Sequence, residues 1–297
     1  MHVRIRFRGE SQLGFDVFLP RNENDALSFI AKTKKKILLL GGGTDLLRET
    51  EKIEGQCLVD ISHLENLRHI TREDDVEKVG ALTRISDFNH SAVDNYEAFN
   101  QLAKGFGGRA ISNMATVGGN ICAASPAADL LPILLALDAV IVTRSLRQER
   151  STGILSFLLA PGKTGLRKDE IIAEVQFEAP ARGKFCTFRK IGRRGSVFRA
   201  TVSLSVFVHL NEVMEIKQAR IAFNSLRDNL PRRANLIEQN LRGKRLESGA
   251  IQEVVSSLSK EYTVPSDINA SSEYKLDAAE GLLEDQLCHI ENLARGL

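Results

Sequence analysis

The run "KILLLGGGTDLL" constrains the fold of this chain more than any other: Ile37, Leu38, Leu39 and Leu40 lead without a break into Gly41, Gly42 and Gly43. An unbroken apolar run bounded by glycine reads as a strand buried on both faces. Ahead of it, "GFDVFLP" is a short strand closed by Pro20, and "ENDALSFIAKTKK" has the helical period, with Ala26, Leu27, Ile30 and Ala31 on one side. "CLVDI" follows as another buried strand. Strand, helix, strand, glycine loop and strand in this order specify an α/β unit with parallel pairing.

The pattern then changes twice. "VEKVGALTRISDF" reads as a strand passing into a helix start, "NYEAFNQLAKGFGGRAI" as helix up to its glycines, and "AVIVTRS" and "DEIIAEVQFEAP" as strands. From about residue 183, "KFCTFRKIG", "ATVSLSVFVHL" and "IKQARIAFNSL" predict an antiparallel sheet, and the tail predicts helices. The 297 residues therefore divide into an α/β part at 1–60, a middle part at 61–181 and an α+β part at 182–297.

Composition narrows the partners. A net charge of +2 with 26% charged residues gives no basis for nucleic-acid or membrane-surface binding. "LLPILLALDAVIV", the most apolar stretch, is interrupted by Pro132 and Asp138 and falls short of the ~20 residues of a membrane span. "MHVRIRFRGE" alternates apolar with basic residues and lacks the apolar block of a signal peptide, so a cytoplasmic location is expected. Cys57, Cys122, Cys186 and Cys288 are too scattered for a zinc or iron–sulfur site, so redox chemistry here would use no metal cluster of the chain's own.

Glycine segments compete for a phosphate. "PGKTG" at 161–165 has the Gly-Lys-Thr of a nucleotide-binding loop, but Phe157 stands where that loop needs its first glycine. "GFGGRA" at 105–110 fits the loose dinucleotide fingerprint, yet a helix precedes it where a strand is required. "LLLGGGTDLL" has its strand; it is either a tight turn capped by Thr44 or Asp45, or a cradle whose bare backbone N–H groups meet an anion. "ATVGGNICAASPAAD" repeats the composition with Thr116, Gly118, Gly119 and Asn120. In it Ser125 and Pro126 read as an N-cap and first helical residue, which would put Asp129 in the first turn, either favouring the helix dipole or offering acceptors to sugar hydroxyls. Two loops of this kind point to a ligand with two phosphates and several hydroxyls.

"GGGTDLL" with "ATVGGNICAASPAADLLP" resembles the FAD-binding subunits of the molybdenum hydroxylases, the xanthine, carbon monoxide and nicotinate dehydrogenase type of enzyme. The resemblance extends through "VGALTRISDF", "FRKIGRR", "LRGKRL" and "SDINASSEYKL", nearly the whole chain. It implies an α+β protein: a two-part FAD-binding domain of the vanillyl-alcohol-oxidase (PCMH-like) type, then a small α+β C-terminal domain. It implies a pyrophosphate between Leu38, Leu39, Leu40, Gly41, Gly42, Gly43, Thr44 and Asp45 on one side and Thr116, Val117, Gly118, Gly119 and Asn120 on the other. Ser125 and Asp129 match positions that hold FAD hydroxyls or phosphate. Phe106 and Ile172 match residues on the two faces of the flavin ring, and Arg189 stands where the family has a lysine near it. With Lys190, Arg193 and Arg194, Arg189 forms a basic cluster that would tune the flavin potential, dock a partner or face solvent.

The chain departs from the family pattern at "ISN", at "GSVFRA" and at "NSLRDNLPRR", which leaves FAD binding in place and bears on acceptor and partner. The implied partners are a [2Fe-2S] subunit and a molybdenum–pterin subunit, with NAD or another acceptor downstream. The chain would supply no catalytic acid or base, because hydride transfer at a flavin needs none. The alternatives are a scaffold homologue that no longer turns over flavin and a stand-alone FAD oxidase.

Overall fold

The computed structural model describes residues 2–6, 14–48, 53–90, 96–192, 200–224, 230–262, 264–267 and 270–296. Its first sheet has the order β1 (His2–Arg6), β2 (Gly14–Phe18), β4 (Cys57–Asp60), β3 (Ile37–Leu40). The β2–β4 and β3–β4 pairs are parallel and β1–β2 is antiparallel. Helix α1 (Glu23–Lys32) makes the crossover; Asn22 caps it by accepting from Asp25 N, and Ala26, Leu27 and Ile30 are its buried stripe. Phe18 stacks on Phe29 with ring centroids 4.0 Å apart.

The second sheet is wholly antiparallel among its described strands, in the order β5 (Ile70–Glu73), β6 (Val76–Gly80), β11 (Ile171–Glu178), β7 (Val140–Arg144), β8 (Glu149–Gly153). Its core gathers α2 (Glu97–Gly105), α3 (Arg109–Ser112), α4 (Val117–Ala123), α5 (Leu130–Ala136) and α6 (Ile154–Phe157). All seven residues of α5 are buried, so this short helix is held by packing rather than propensity. β9 (Leu158–Ala160) and β10 (Lys163–Thr164) form a hairpin turning at Gly162, φ +69°, so "PGKTG" is a hairpin turn. Residues 163–170 are tied down by Arg150, which donates to Glu170 Oε2 at 2.7 Å, Glu170 Oε1 at 3.1 Å and Gly165 O at 2.9 Å.

The third sheet runs β12 (Lys184–Gly192), β13 (Ala200–Leu210), β14 (Ile216–Asn224), β15 (Arg232–Arg233), all antiparallel. It is covered on both faces. Val202, Leu204, Val206 and Val208 pack under α7 (Asn235–Leu241), α8 (Ser248–Val255), α9 (Leu258–Glu261) and α10 (Ser272–Arg295). Cys186, Phe188, Phe207 and Ala222 join the core of the second module. Gln286 of α10 anchors the helix side, accepting from Thr187 Oγ1 at 2.7 Å and donating to Leu204 O at 3.2 Å. No helix among the described residues is long and apolar enough to cross a membrane.

Candidate functional site

β3 ends at Leu40 and the chain turns through residues 41–45 into a short 3-10 helix, Leu46–Arg48. Gly43 adopts φ +69°, a left-handed conformation that costs glycine nothing. Leu47 N donates to Gly43 O and Arg48 N to Asp45 O, closing the turn. The N–H groups of Gly41, Gly42, Gly43, Thr44 and Asp45 have no hydrogen-bond partner among the described residues. Backbone donors ranged along one turn, half-buried at residues 41–44 and exposed at Asp45, are suited to an anion.

The second loop lies directly against the first. A Cβ on Gly42 would stand 1.8 Å from Met114 O, and one on Gly41 would stand 3.1 Å from Thr116 Oγ1. Residues 115–118 in turn run beside the segment after β6: Ile85 N donates to Ala115 O, Val117 N to Thr83 O and Gly118 N to Ala81 O, all within 2.7–3.0 Å. Thr116 caps α4 by accepting from Gly119 N at 3.2 Å. The N–H groups of Val117, Gly118 and Gly119 are therefore all engaged within the protein. Gly118 is glycine because Ala81 Cβ would lie 2.9 Å from a Cβ there, whereas Gly119 is exposed and would meet only the Thr116 hydroxyl. The free donors sit on the first loop, and the second supplies a wall and a polar edge.

Helix α5 starts later than the Ser-Pro pair predicts. Ser125 Oγ accepts from Ala127 N at 3.2 Å in a local turn, and Asp129 is the N-cap residue with no cap hydrogen bond from its side chain. The Asp129 carboxylate is engaged elsewhere: Lys190 Nζ donates to Oδ2 at 2.6 Å, with both side chains buried. Its other oxygen, Oδ1, is buried without a partner among the described residues, and so is Asn120 Oδ1. Burial pushes the Asp129 carboxyl up from its ordinary value, and the Lys190 ammonium opposes that rise. Asn224 Nδ2 donates to Ala128 O at 3.0 Å just beside it.

The remaining predicted residues are spread more widely. Phe106 is the C-cap of α2 and packs half-buried on the edge of the central core. Ile172 lies in β11 opposite Thr143 and is only 4% exposed. Arg189 is on the helix-covered face of β12, where it pairs with Asp285 of α10 at 3.8 Å and donates to Phe188 O. Lys190, one residue on, points to the opposite face, toward α5. Arg193 and Arg194 lie outside the described residues. Sequence reasoning missed Asn224 and the pairing of Lys190 with Asp129. "KFCTFRKIG" carries apolar residues on both of its alternating faces, so the alternation does not say which face meets α5 and which meets α10.

Unpaired backbone donors for phosphate, unmatched buried acceptors for hydroxyls and a half-buried aromatic for a ring fit the chemistry of a flavin dinucleotide. Residues 13–179 match the family model described as FAD binding domain in molybdopterin dehydrogenase, and residues 186–288 match CO dehydrogenase flavoprotein C-terminal domain. Among characterised relatives, the glyceraldehyde dehydrogenase medium chain of Sulfolobus acidocaldarius is 28% identical over 263 residues, 87% of this chain and 92% of that one. The xanthine dehydrogenase FAD-binding subunit of Escherichia coli O157:H7 is 28% identical over 258 residues, 85% of this chain and 87% of its own length. In fold, the chain resembles carbon monoxide dehydrogenase from Hydrogenophaga pseudoflava, with a TM-score of 0.83 at 22% identity over 95% of this chain and 96% of that one. It also resembles quinoline 2-oxidoreductase from Pseudomonas putida 86, with a TM-score of 0.84 at 19% identity over 94% and 97% of the two chains. With its two-part FAD-binding domain and α+β C-terminal domain, the chain belongs to the FAD-binding subunits of the molybdenum hydroxylases, the oxidoreductase family of the xanthine and carbon monoxide dehydrogenases, and its cofactor is FAD.

Proposed function

We propose that this chain is the electron-transfer subunit of a cytoplasmic molybdenum-dependent hydroxylase or dehydrogenase, placed between a [2Fe-2S] partner subunit and NAD or another acceptor. A molybdenum–pterin subunit carries the hydroxylation in this reading, and the bound flavin supplies the redox chemistry of this chain. Residues 1–60 and 61–181 act as the two halves of the FAD-binding domain and 182–297 as the C-terminal flavoprotein domain.

The observation that carries the reading is the row of unpaired N–H groups at residues 41–45, packed against the second glycine loop. In this proposal those donors hold the pyrophosphate between residues 38–45 and 116–120. Asp129 and Asn120 offer their unmatched oxygens to hydroxyls, and Ser125 is assigned to the same part of the cofactor. Phe106 and Ile172 border the flavin ring. The protein's own work is to bind, to orient and to keep water from the ring. No side chain is assigned a proton-transfer step.

The test is an absorption spectrum of the purified full chain, repeated on the supernatant after acid precipitation. Flavin released into the supernatant is the expected result. Flavin retained in the pellet favours a covalent FAD oxidase, and a colourless chain that takes up no added FAD leaves the scaffold homologue.

A further inference from the structure

A pyrophosphate carries formal negative charge, and main-chain N–H groups meet it with partial charges only. The formal charge within the donor row itself, that of Asp45, has the wrong sign. Lys190 is committed to Asp129. A full positive charge beside the row would therefore add most to the binding of such an anion.

Sheet geometry supplies one at Arg84. Arg84 and Thr116 form an isolated antiparallel bridge. Ile85 N donates to Ala115 O at 2.9 Å and Val117 N to Thr83 O at 3.0 Å. These two bonds flank the pair rather than join it, so it is a narrow, non-hydrogen-bonded pair with Cα atoms about 4.5 Å apart and both side chains on one face. Thr116 shows where that face looks. Its Oγ1 stands 3.1 Å, and its Cγ2 3.9 Å, from the place a Cβ on Gly41 would occupy. Arg84 thus leaves the backbone on the side of the first residue of the donor row.

The base of Arg84 is fixed and its head is free. Thr83 and Ile85 on either side are buried, and Thr83 Oγ1 donates to His69 O at 2.9 Å. The Arg84 side chain is exposed and makes no ion pair or hydrogen bond among the described residues. Asp87, the nearest carboxylate in sequence, accepts from Arg84 N at 2.9 Å, and its two oxygens take the Arg68 guanidinium at 2.9 and 3.0 Å.

We infer that Arg84 is a further FAD-binding residue, whose guanidinium supplies the full positive charge that the donor row lacks and binds the pyrophosphate oxygens. The inference rests on the reading of residues 41–45 as the pyrophosphate cradle.

The test uses the full chain freed of flavin, with FAD titrated by quenching of its fluorescence and ADP by its competition with FAD. At about 50 mM salt R84Q weakens FAD and ADP alike, by roughly five- to twentyfold, because the two share the pyrophosphate. R84K stays within about threefold of the parent, and the R84Q deficit shrinks to about twofold at 0.5 M salt. R242Q, which removes an exposed arginine of the C-terminal domain, binds both within about twofold of the parent. Far-ultraviolet circular dichroism checks folding, and R84A replaces R84Q should that variant fail it. Four results overturn the inference: R84Q binding both ligands like the parent, a loss for FAD without one for ADP, a loss undiminished at 0.5 M salt, and equal losses for R84Q and R242Q. All four leave the cradle standing so long as ADP competes with FAD in the parent. ADP that fails to compete there overturns the cradle reading, and the inference with it.

Discussion

Replacing Gly42 by alanine tests the junction of the two loops. The new Cβ would lie 1.8 Å from Met114 O, 2.7 Å from Met114 C and 3.2 Å from Ala115 Cα. A carbon–oxygen contact needs roughly 3.3 Å, so the loops must part by roughly 1.5 Å. Neither side yields easily. Ala115 N is bonded to Ile111 O at 2.7 Å and Ala115 O to Ile85 N at 2.9 Å, while Gly42 follows a strand held in a parallel ladder. All three obstructing atoms are backbone, so the cost falls at the upper end of overpacking penalties, about 3 kcal/mol. For a chain of this size that lowers Tm by roughly 6–12 °C. The chain has no tryptophan, so unfolding is followed by far-ultraviolet circular dichroism. Gly119→Ala is the control: its Cβ meets only Thr116 Oγ1, at 2.8 Å, and the gain in helix propensity of about 1 kcal/mol offsets the disturbed cap. A G42A chain melting within about 2 °C of the parent, or a G119A chain falling as far as G42A, would refute the reasoning.

Glu170→Gln should change how stability responds to acid. Burial pushes the Glu170 carboxyl up, but the Arg150 guanidinium and the Arg167 N–H more than reverse this and hold it below its ordinary 4.5. A carboxyl lowered by folding stabilises fully above its unfolded value and loses that contribution as pH falls through the folded one. The Tm gap between parent and E170Q should therefore be constant near neutrality and close below about pH 4.5; a gap unchanged down to pH 3 refutes the assignment. Gln286→Leu removes the two hydrogen bonds that Gln286 makes to the sheet and strands the buried Thr187 hydroxyl. It should cost roughly 1–3 kcal/mol in thermal unfolding and leave FAD affinity unchanged; a parent-like Tm is the contrary result.

Local patterns were legible wherever one physical cause decided them. The apolar run Ile37–Leu40 feeding a glycine turn yields β3 and its parallel ladder, because little but a buried strand satisfies such a run. The α1 stripe and the long C-terminal helix follow from periodicity. What was not legible depends on a second segment far away in sequence. The start of α5 is one case: Ser125 forms the same short-range bond in a turn as in a cap, and Lys190 and Asn224 hold residues 128 and 129 from the C-terminal sheet. The face taken by Arg189 and Lys190 is another, since a strand covered on both sides has apolar residues on each face and does not say what either one meets. The bare backbone at Gly42 and Gly118 is a third. Its immediate cause is the close approach of Met114 and Ala81, which no reading of either glycine run alone can show.

The unpaired N–H groups of residues 41–45 belong to the main chain, and a main-chain donor has no side-chain identity to lose. Exchange of Thr44 or Asp45 alters the polarity around the donors but not the donors themselves; only proline deletes one. A lineage is thus free to drift at these two positions, adjusting the rim of the loop to new surroundings while the row of donors persists. Where an added methyl collides, at Gly42, that freedom ends within a residue or two. Divergence in this part of the chain is therefore uneven by construction, and overall identity says little about whether the loop has been kept.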